Sequence, residues 1–235
     1  MSLFVLIHSP LVGPYTWQPV AEELRSLGVS ALVPSIRENE RAPYWKAHVA
    51  AIVSAVKKAS ADSSLVLVGH SGGGMLLPSL REALGHPVAG YIFADAGIPE
   101  NGVSRLDAFR NPEEAARFRE AASGGLLPAW TEEDLREVIP DAATRIRYVG
   151  EFRPLPLAVY EEPIPVFSGW PEAPCGYLGF RSPESAGEYA YADSLARARQ
   201  AGWPMIQLPG EHFHMLVDPP AVARALLALQ GRMGI

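Results

Sequence analysis

Residues 64–77 read Ser64-Leu-Val-Leu-Val-Gly-His-Ser-Gly-Gly-Gly-Met-Leu-Leu77. Leu65–Val68 is a short apolar run of valine and leucine, which suits a strand buried on both faces. It stops at Gly69. A second apolar run, Met75–Leu84, carries helical spacing up to Gly85, a glycine placed to cap a helix C-terminus. Between the two lies Gly69-His70-Ser71-Gly72-Gly73, a serine at a strand-to-helix turn with glycine two residues before and two after. This is the G-x-S-x-G spacing of a nucleophile elbow. A serine there sits on a strained turn that lifts its hydroxyl off the sheet, and only small neighbours let strand and helix approach so closely. A helix that begins at the serine also aims unpaired N–H groups and its positive dipole end at any oxyanion formed there. A glycine-rich turn of this kind can instead hold phosphate or do nothing chemical. A phosphate loop wants a lysine after its glycines, and none follows; a dinucleotide turn wants G-x-G-x-x-G, and here Gly72 and Gly74 are followed by Leu77.

Outward from this stretch, strands and helices alternate. Leu3–Ile7 reads as a strand, and a helix follows from Trp17 to Leu27, closed by Gly28. Val29–Val33 is a strand stopped by Pro34, and Tyr44–Ala59 has Val49, Ile52, Val53 and Val56 on one helical face. Val88–Ala94 is the strand after the elbow, and it ends in Ala94-Asp95-Ala96-Gly97. This pattern predicts an α/β fold, a mostly parallel sheet covered by helices on both faces. From Glu100 to Trp170 the rhythm breaks, with no convincing strand. Asn111-Pro112 and Thr131-Glu132-Glu133-Asp134 read as helix starts. The sheet resumes at Cys175–Phe180 and ends at Met205–Leu208, with a helix inside 186–200 and another, Ala221–Leu229, begun by Asp218-Pro219. About six strands are expected in all. The predicted organisation is a core of residues 1–99 and 171–235 with a small helical cap, 100–170, inserted between.

A chain of 235 residues with 48% hydrophobic content is long enough for one large core and such a cap. A net charge of -6 without any basic run argues against nucleic acid and anionic membranes as partners. A small-molecule substrate is the expected partner, and the oligomeric state, monomer or homodimer, stays open. Cys175 stands alone, so no internal disulfide is expected. The opening Met-Ser-Leu-Phe-Val-Leu-Ile lacks a basic leader pattern and reads as a strand, and no stretch approaches a membrane span. The cytoplasm is the expected location.

A serine hydroxyl is a weak nucleophile unless a base takes its proton and a third group orients the base. The base belongs on a loop at the same sheet edge as Ser71, where open parallel sheets bind their ligands. Gly210-Glu211-His212-Phe213-His214, after the last strand, offers two histidines at that edge.

The order of elbow, helical insertion and late histidine resembles the α/β-hydrolase superfamily. Val-Leu-Ile-His8-Ser9-Pro10-Leu11-Val-Gly-Pro resembles that superfamily's first-strand loop, usually written His-Gly at 8 and 9, and Pro-Gly-Glu-His212-Phe-His-Met-Leu-Val-Asp-Pro-Pro resembles its histidine loop. The resemblance implies His212 as the general base, with His214 second. It places the acid, in some members, after the strand that follows the elbow, which is Asp95. The more usual position, after Cys175–Phe180, holds no aspartate. Glu184 is the alternative there and Glu172 a third. For an oxyanion the resemblance implies the Gly72 N–H and a second donor from the residue at position 10, but Pro10 has no N–H. Leu11 or a side chain supplies the donor, or the hole is half built. His8 is expected to brace this loop, with a direct role less favoured, and His70 to be packed inside the elbow.

The remaining candidates read as structural. His48 lies mid-helix and His86 in a loop. Cys175 starts a buried strand. Arg145, Arg147 and Arg153 suit a solvated helix face more than contact with a substrate carboxylate, and cap aromatics such as Phe118, Trp130 and Tyr160 pack the cap or line a pocket over Ser71. His212 and His214 are two apart with no third ligand, so neither metal nor cofactor is expected. The resemblance is specific for the fold and weak for the substrate; the expected activity is that of a serine hydrolase acting on a small or medium apolar ester. Two alternatives stand beside it. One is a lyase or cyclase that uses Ser71 and His212 as acid–base groups, in the layout of plant hydroxynitrile lyases and methylesterases; Pro10 favours this branch. The other is a ligand-binding relative without catalysis.

Overall fold

The computed structural model describes residues 2–37, 41–59, 64–109, 112–181 and 190–235. Six strands form one sheet in the order β2-β1-β3-β4-β7-β8. They are β1 (Ser2–Ile7), β2 (Ser30–Leu32), β3 (Ser64–His70), β4 (Val88–Ala94), β7 (Cys175–Phe180) and β8 (Met205–Leu208). Every neighbouring pair is parallel. This is the doubly covered α/β architecture that the alternating pattern predicts, and β7 and β8 match their predicted spans residue for residue.

The sheet is buried because its strands are apolar on both sides. Phe4, Leu6, Val66, Val68, Ile92 and Leu178 face one layer, which holds α1 (Gln18–Ser26) and α9 (Pro219–Met233). Leu3, Val5, Leu65, Leu67, Phe93 and Tyr177 alternate with them and face the other layer. That layer holds α2 (Tyr44–Ala59), α3 (Leu77–Leu84) and α7 (Ala192–Gln200). The helix ends follow local chemistry. Gly28 and Gly85 take the left-handed conformation after α1 and α3, with φ of 79° and 63°. After the short α8 (His214–Val217), the Asp218 carboxylate accepts from the Ala221 N–H at 3.0 Å, and Pro219 opens α9, which runs to Met233 rather than stopping at Leu229.

Three local expectations differ from what the chain adopts. From Ser71 the chain forms a 3-10 helix, Ser71–Leu76, before α3 begins, a tighter turn of the kind that often opens an α-helix. Thr131 and Asp134 do bond each other, Thr131 N and Oγ1 each donating to Asp134 Oδ2 at 2.8 Å, but only turns follow. Glu132, Glu133 and Asp134 are all exposed, and the buried residues of this stretch, Leu135 and Ile139, span one turn before Pro140. The helix of this region is α5 (Ala142–Val149), capped by Asp141, which accepts from the N–H groups of Ala143 and Thr144. Between β4 and β7 the chain also holds α4 (Pro112–Ala121), α6 (Ala158–Glu161) and a two-residue antiparallel ladder absent from the sequence reading, β5 (Leu126–Leu127) with β6 (Leu155–Pro156). The proposed start at Asn111 lies outside the described residues.

This intervening segment divides in its packing. Leu106, Leu127, Leu155, Val159 and Tyr160 form a small cluster of their own. Leu135, Ile139, Tyr148 and Phe152 instead join the core layer of α1 and α9. Tyr148 Oη lies 3.1 Å from Thr16 Oγ1, and Glu151 accepts from the Tyr15 N–H at 2.8 Å, so α5 is tied to the loop that follows β1.

Candidate active site

Ser71 occupies the left-handed region with φ of 53°. For a residue with a Cβ this conformation costs on the order of 1–3 kcal/mol and persists only where the surroundings impose it. They do so here by close approach. A Cβ on Gly69 would lie 2.6 Å from the Gly74 backbone, and one on Gly73 would lie 2.7 Å from the His8 carbonyl oxygen. The glycines therefore let β3, the following turn and the end of β1 occupy nearly the same space, and the serine between them is pushed outward.

Strand order brings the other candidates to this edge. Ser71 follows β3, Asp95 follows β4, and His212 follows β8. Asp95 is itself strained, with φ of 47°, and its N–H donates to the Leu178 carbonyl at 2.7 Å. Its carboxylate is nearly fully buried. One oxygen accepts from the Phe180 N–H at 3.1 Å and the other lies 2.7 Å from His212 Nδ1. A carboxylate there accepts, so His212 carries its proton on Nδ1, and Nε2 is left as the basic nitrogen. His212 stays about one-third exposed, with side-chain accessibility of 29%.

Among the described residues, Ser71 Oγ is hydrogen-bonded to Tyr191 Oη, at 3.2 Å, and not to the imidazole. The Tyr191 ring in turn stacks on His212, with centroids 5.5 Å apart and planes inclined by 21°. Serine and histidine thus meet the same tyrosine, which the sequence reading did not single out. Its signal is weak, a tyrosine inside the span expected to hold a helix.

The histidines beneath the site are neutral supports. His70 is fully buried; its Nε2–H donates to the His212 carbonyl at 3.0 Å, and its ring lies 4.4 Å from the His212 ring. Burial, then the neighbouring His212, holds its pKa well below the ordinary value. His8 is equally buried and donates from Nδ1 to the Ser9 carbonyl at 2.8 Å; burial drives its pKa down to about 4.

The loop after β1 carries a second polar group that sequence reasoning missed. A Cβ added to Gly72 would lie 3.2 Å from each of Ser9 Oγ, Tyr160 Oη and Arg105 Cδ. Ser9 Oγ and Tyr160 Oη are 3.0 Å apart, and Leu11 N–H points to Ser9 Oγ at 3.5 Å. Arg105, only 2% exposed, donates from Nε to the Gly72 carbonyl at 3.0 Å and from Nη1 to the Val159 carbonyl at 2.8 Å. Burial lowers its pKa to about 10, with Tyr160 and Glu162 opposing the fall, so the guanidinium stays charged at neutral pH. It clamps the peptide just beyond the serine. Leu11, in this loop, lines a mostly apolar cavity of about 220 Å³ with Phe118, Leu127, Pro128 and Trp130, to which Arg117 also contributes. Trp130 also packs edge-on against Phe213, the residue after His212, at 5.9 Å.

Other candidates lie elsewhere. Glu172 accepts from Tyr91 Oη at 2.8 Å and pairs with Arg81 at 3.2 Å, without contact to His212. His214 packs beside Phe180 at 5.7 Å, and Cys175 is buried, its thiol pushed up to about 12 by desolvation. Arg145 is not on a solvated face as expected; it is 8% exposed and donates to the carbonyls of Ile139 and Pro140, each at 2.7 Å. Arg147 stacks over Tyr15 at 4.2 Å, and Arg153 donates to the carbonyls of Gly150 and Phe152. Glu184 lies outside the described residues. Among the described residues no group of three or more His, Cys, Asp or Glu is placed to hold a metal ion. Nor, among them, is any helix long and apolar enough to cross a membrane.

A profile of the alpha/beta hydrolase family matches residues 4–225. A carbendazim hydrolyzing esterase of a Nocardioides species is 24% identical over 247 residues, spanning 97% of this chain and all of that protein. Among solved structures, an extracellular alpha/beta-hydrolase of a Paenibacillus species, described as sharing structural and functional homology with tobacco salicylic acid binding protein 2, superposes with a TM-score of 0.79. It is 20% identical and covers 97% of this chain and 99% of its own. Tomato methylketone synthase I complexed with 2-tridecanone superposes at 0.77 with 13% identity, covering 99% and 98% of the two chains. At these identities the structures share the fold.

Proposed function

This chain belongs to the alpha/beta hydrolase family, and we propose that within it the protein is a serine esterase acting on a small or medium apolar ester. One observation carries the reading. A buried carboxylate, Asp95, sits 2.7 Å from Nδ1 of His212 and so leaves Nε2 as a base at the edge where the strained Ser71 hydroxyl stands.

The reaction runs in two halves. His212 Nε2 takes the Ser71 proton as Oγ attacks the acyl carbon, and Asp95 stabilises the imidazolium that forms. The Gly72 N–H receives the oxyanion, on a turn that Arg105 holds through the next carbonyl. Pro10 cannot donate, so the Ser9 hydroxyl, beside Gly72, is the second donor. His212 then protonates the leaving alkoxide, and a water activated by the same nitrogen frees the acyl group. Residues 100–170 act as the cap, and the cavity behind Leu11 takes an apolar part of the substrate. A cavity of about 150 Å³ holds a benzene ring, so 220 Å³ admits one ring or a short acyl chain. The reading needs no metal or cofactor and takes a small molecule as substrate. The lone, buried Cys175 supports a cytoplasmic site of action. The relative described as a carbendazim hydrolyzing esterase supports an esterase over other chemistries.

Two observations favour a second reading. The main-chain oxyanion donor is missing at Pro10, and Ser71 rests against a phenol rather than the imidazole. A lyase or a related enzyme that uses Ser71 and His212 for proton transfer alone tolerates both features. A fluorophosphonate probe with p-nitrophenyl esters of rising chain length separates the two. Labelling and turnover, both abolished in Ser71→Ala, support the esterase; labelling without turnover of any ester supports the second reading or a ligand-binding relative.

A further inference from the structure

Tyr191 stands at the start of α7, on the connection that leaves β7. Its carbonyl accepts from the Leu195 N–H at 2.9 Å, which anchors the residue to the first helical turn. Its ring plane is set by the stack on His212, and its hydroxyl by the 3.2 Å bond with Ser71 Oγ. Two independent contacts thus fix a phenol on both groups between which a proton must travel. In the family resemblance this connection is where the acid usually stands, and here Asp95 holds His212 from β4 instead.

We propose that Tyr191 is a catalytic residue that stabilises the departing group. The inference rests on the esterase reading above. His212 must return its proton to the leaving oxygen, so that oxygen has to lie near both Nε2 and Oγ. A hydroxyl within 3.2 Å of Oγ, carried on the face of the imidazole, borders that same space. In the resting enzyme the two hydroxyls share a hydrogen bond. On acylation the Oγ–C bond forms and the serine proton moves to His212. The bond from carbon to the leaving oxygen then breaks, and that oxygen collects the proton from His212. Tyr191 keeps its own proton throughout and donates a hydrogen bond to the charge growing on the leaving oxygen. The substrates that gain most are esters of aliphatic alcohols, whose oxygen carries that charge alone; a p-nitrophenolate spreads it over the ring.

The test is Tyr191→Phe, which keeps the ring stack and removes one oxygen. Wild type and variant are assayed on ethyl, phenyl and p-nitrophenyl esters of one short acid. A hydrogen bond to a charged group is worth enough to predict a fall in kcat/KM of about 10- to 100-fold on the ethyl ester. The p-nitrophenyl ester should change by no more than about threefold, so the dependence of rate on alcohol pKa steepens. Because the readout is a ratio of esters on the same sample, a smaller folded fraction cancels. An equal loss on all three esters, or no loss on any, overturns the assignment and leaves Tyr191 a packing residue. Wild-type protein that takes the fluorophosphonate label but turns over none of the esters overturns the esterase reading itself, and this assignment with it.

Discussion

Asp95→Asn is the sharpest perturbation of the site, because among the described residues each oxygen of the native carboxylate meets a donor. One accepts from the Phe180 N–H and the other from His212 Nδ1. Asparagine has a single acceptor oxygen. If that oxygen stays on Phe180, the amide NH2 faces Nδ1, which must give up its proton. Nε2 then carries it and cannot act as base. If the amide turns over, Nδ1–H is satisfied, but the buried Phe180 N–H meets another donor, at about 1–3 kcal/mol. The base-competent form is thereby reduced by roughly ten- to a hundredfold, since each 1.36 kcal/mol is a factor of ten. The imidazolium also loses its charged partner, about 1.5–3 kcal/mol more. Together these predict a loss of about 10²–10⁴ in kcat, its upper end matching the factor of about 10⁴ for the same change in the serine protease template. The assay is steady-state turnover of a p-nitrophenyl ester across pH, with fluorophosphonate labelling rate alongside. Asp95→Asn that keeps more than a tenth of wild-type kcat, while Glu184→Gln abolishes it, refutes the reasoning.

Further outcomes are open to measurement. Gly73→Ala places a Cβ 2.7 Å from the His8 carbonyl and 2.8 Å from that of Ile7; denaturant titration should show a loss of roughly 1–3 kcal/mol. Gly231→Ala, within α9 and with open space around the new methyl, should instead gain about 0.5–1 kcal/mol. The His8 imidazole, held at about 4 in the fold against 6.5 when exposed, lets the unfolded chain bind its proton first as pH falls. Stability is then full above pH 6.5 and drops by about 3 kcal/mol on the way to pH 4, at 1.36 kcal/mol per unit of pKa difference. His8→Asn should flatten that decline in a series of urea melts, while His70, lowered in the same direction, leaves part of it; an unchanged slope refutes the assignment. Leu127→Trp should fill the cavity behind Leu11 and shift ester preference toward shorter acyl chains by about tenfold or more, read as the ratio of kcat/KM for acetate and octanoate esters.

Much of the fold was legible because local chemistry decides it. Runs such as Val88–Ala94 and Cys175–Phe180 are apolar on both faces and bounded by breakers, so nothing but a doubly covered strand accommodates them. The spacing of Gly69, Gly73 and Gly74 around Ser71 was legible for the same reason, since it answers steric demands within a few residues. Local rules failed where a signal lacked tertiary reward. Thr131 and Asp134 form their bond, yet the exposed residues between them bury little, and the helix nucleates at Asp141 instead.

The partners of Ser71 belong to the tertiary structure. The sequence offered Asp95, Glu184 and Glu172 for one role, and the order β3-β4-β7-β8 sets the residue after β4 beside the loop after β8, while Glu172 is taken up by Tyr91 and Arg81. Tyr191 and Arg105 carry no mark in the chain, because each meets the elbow across a large sequence separation. A motif records what adjacent residues impose on one another. Which distant side chains share an edge depends on how strands are ordered and loops closed, and that is settled only when the whole core is buried.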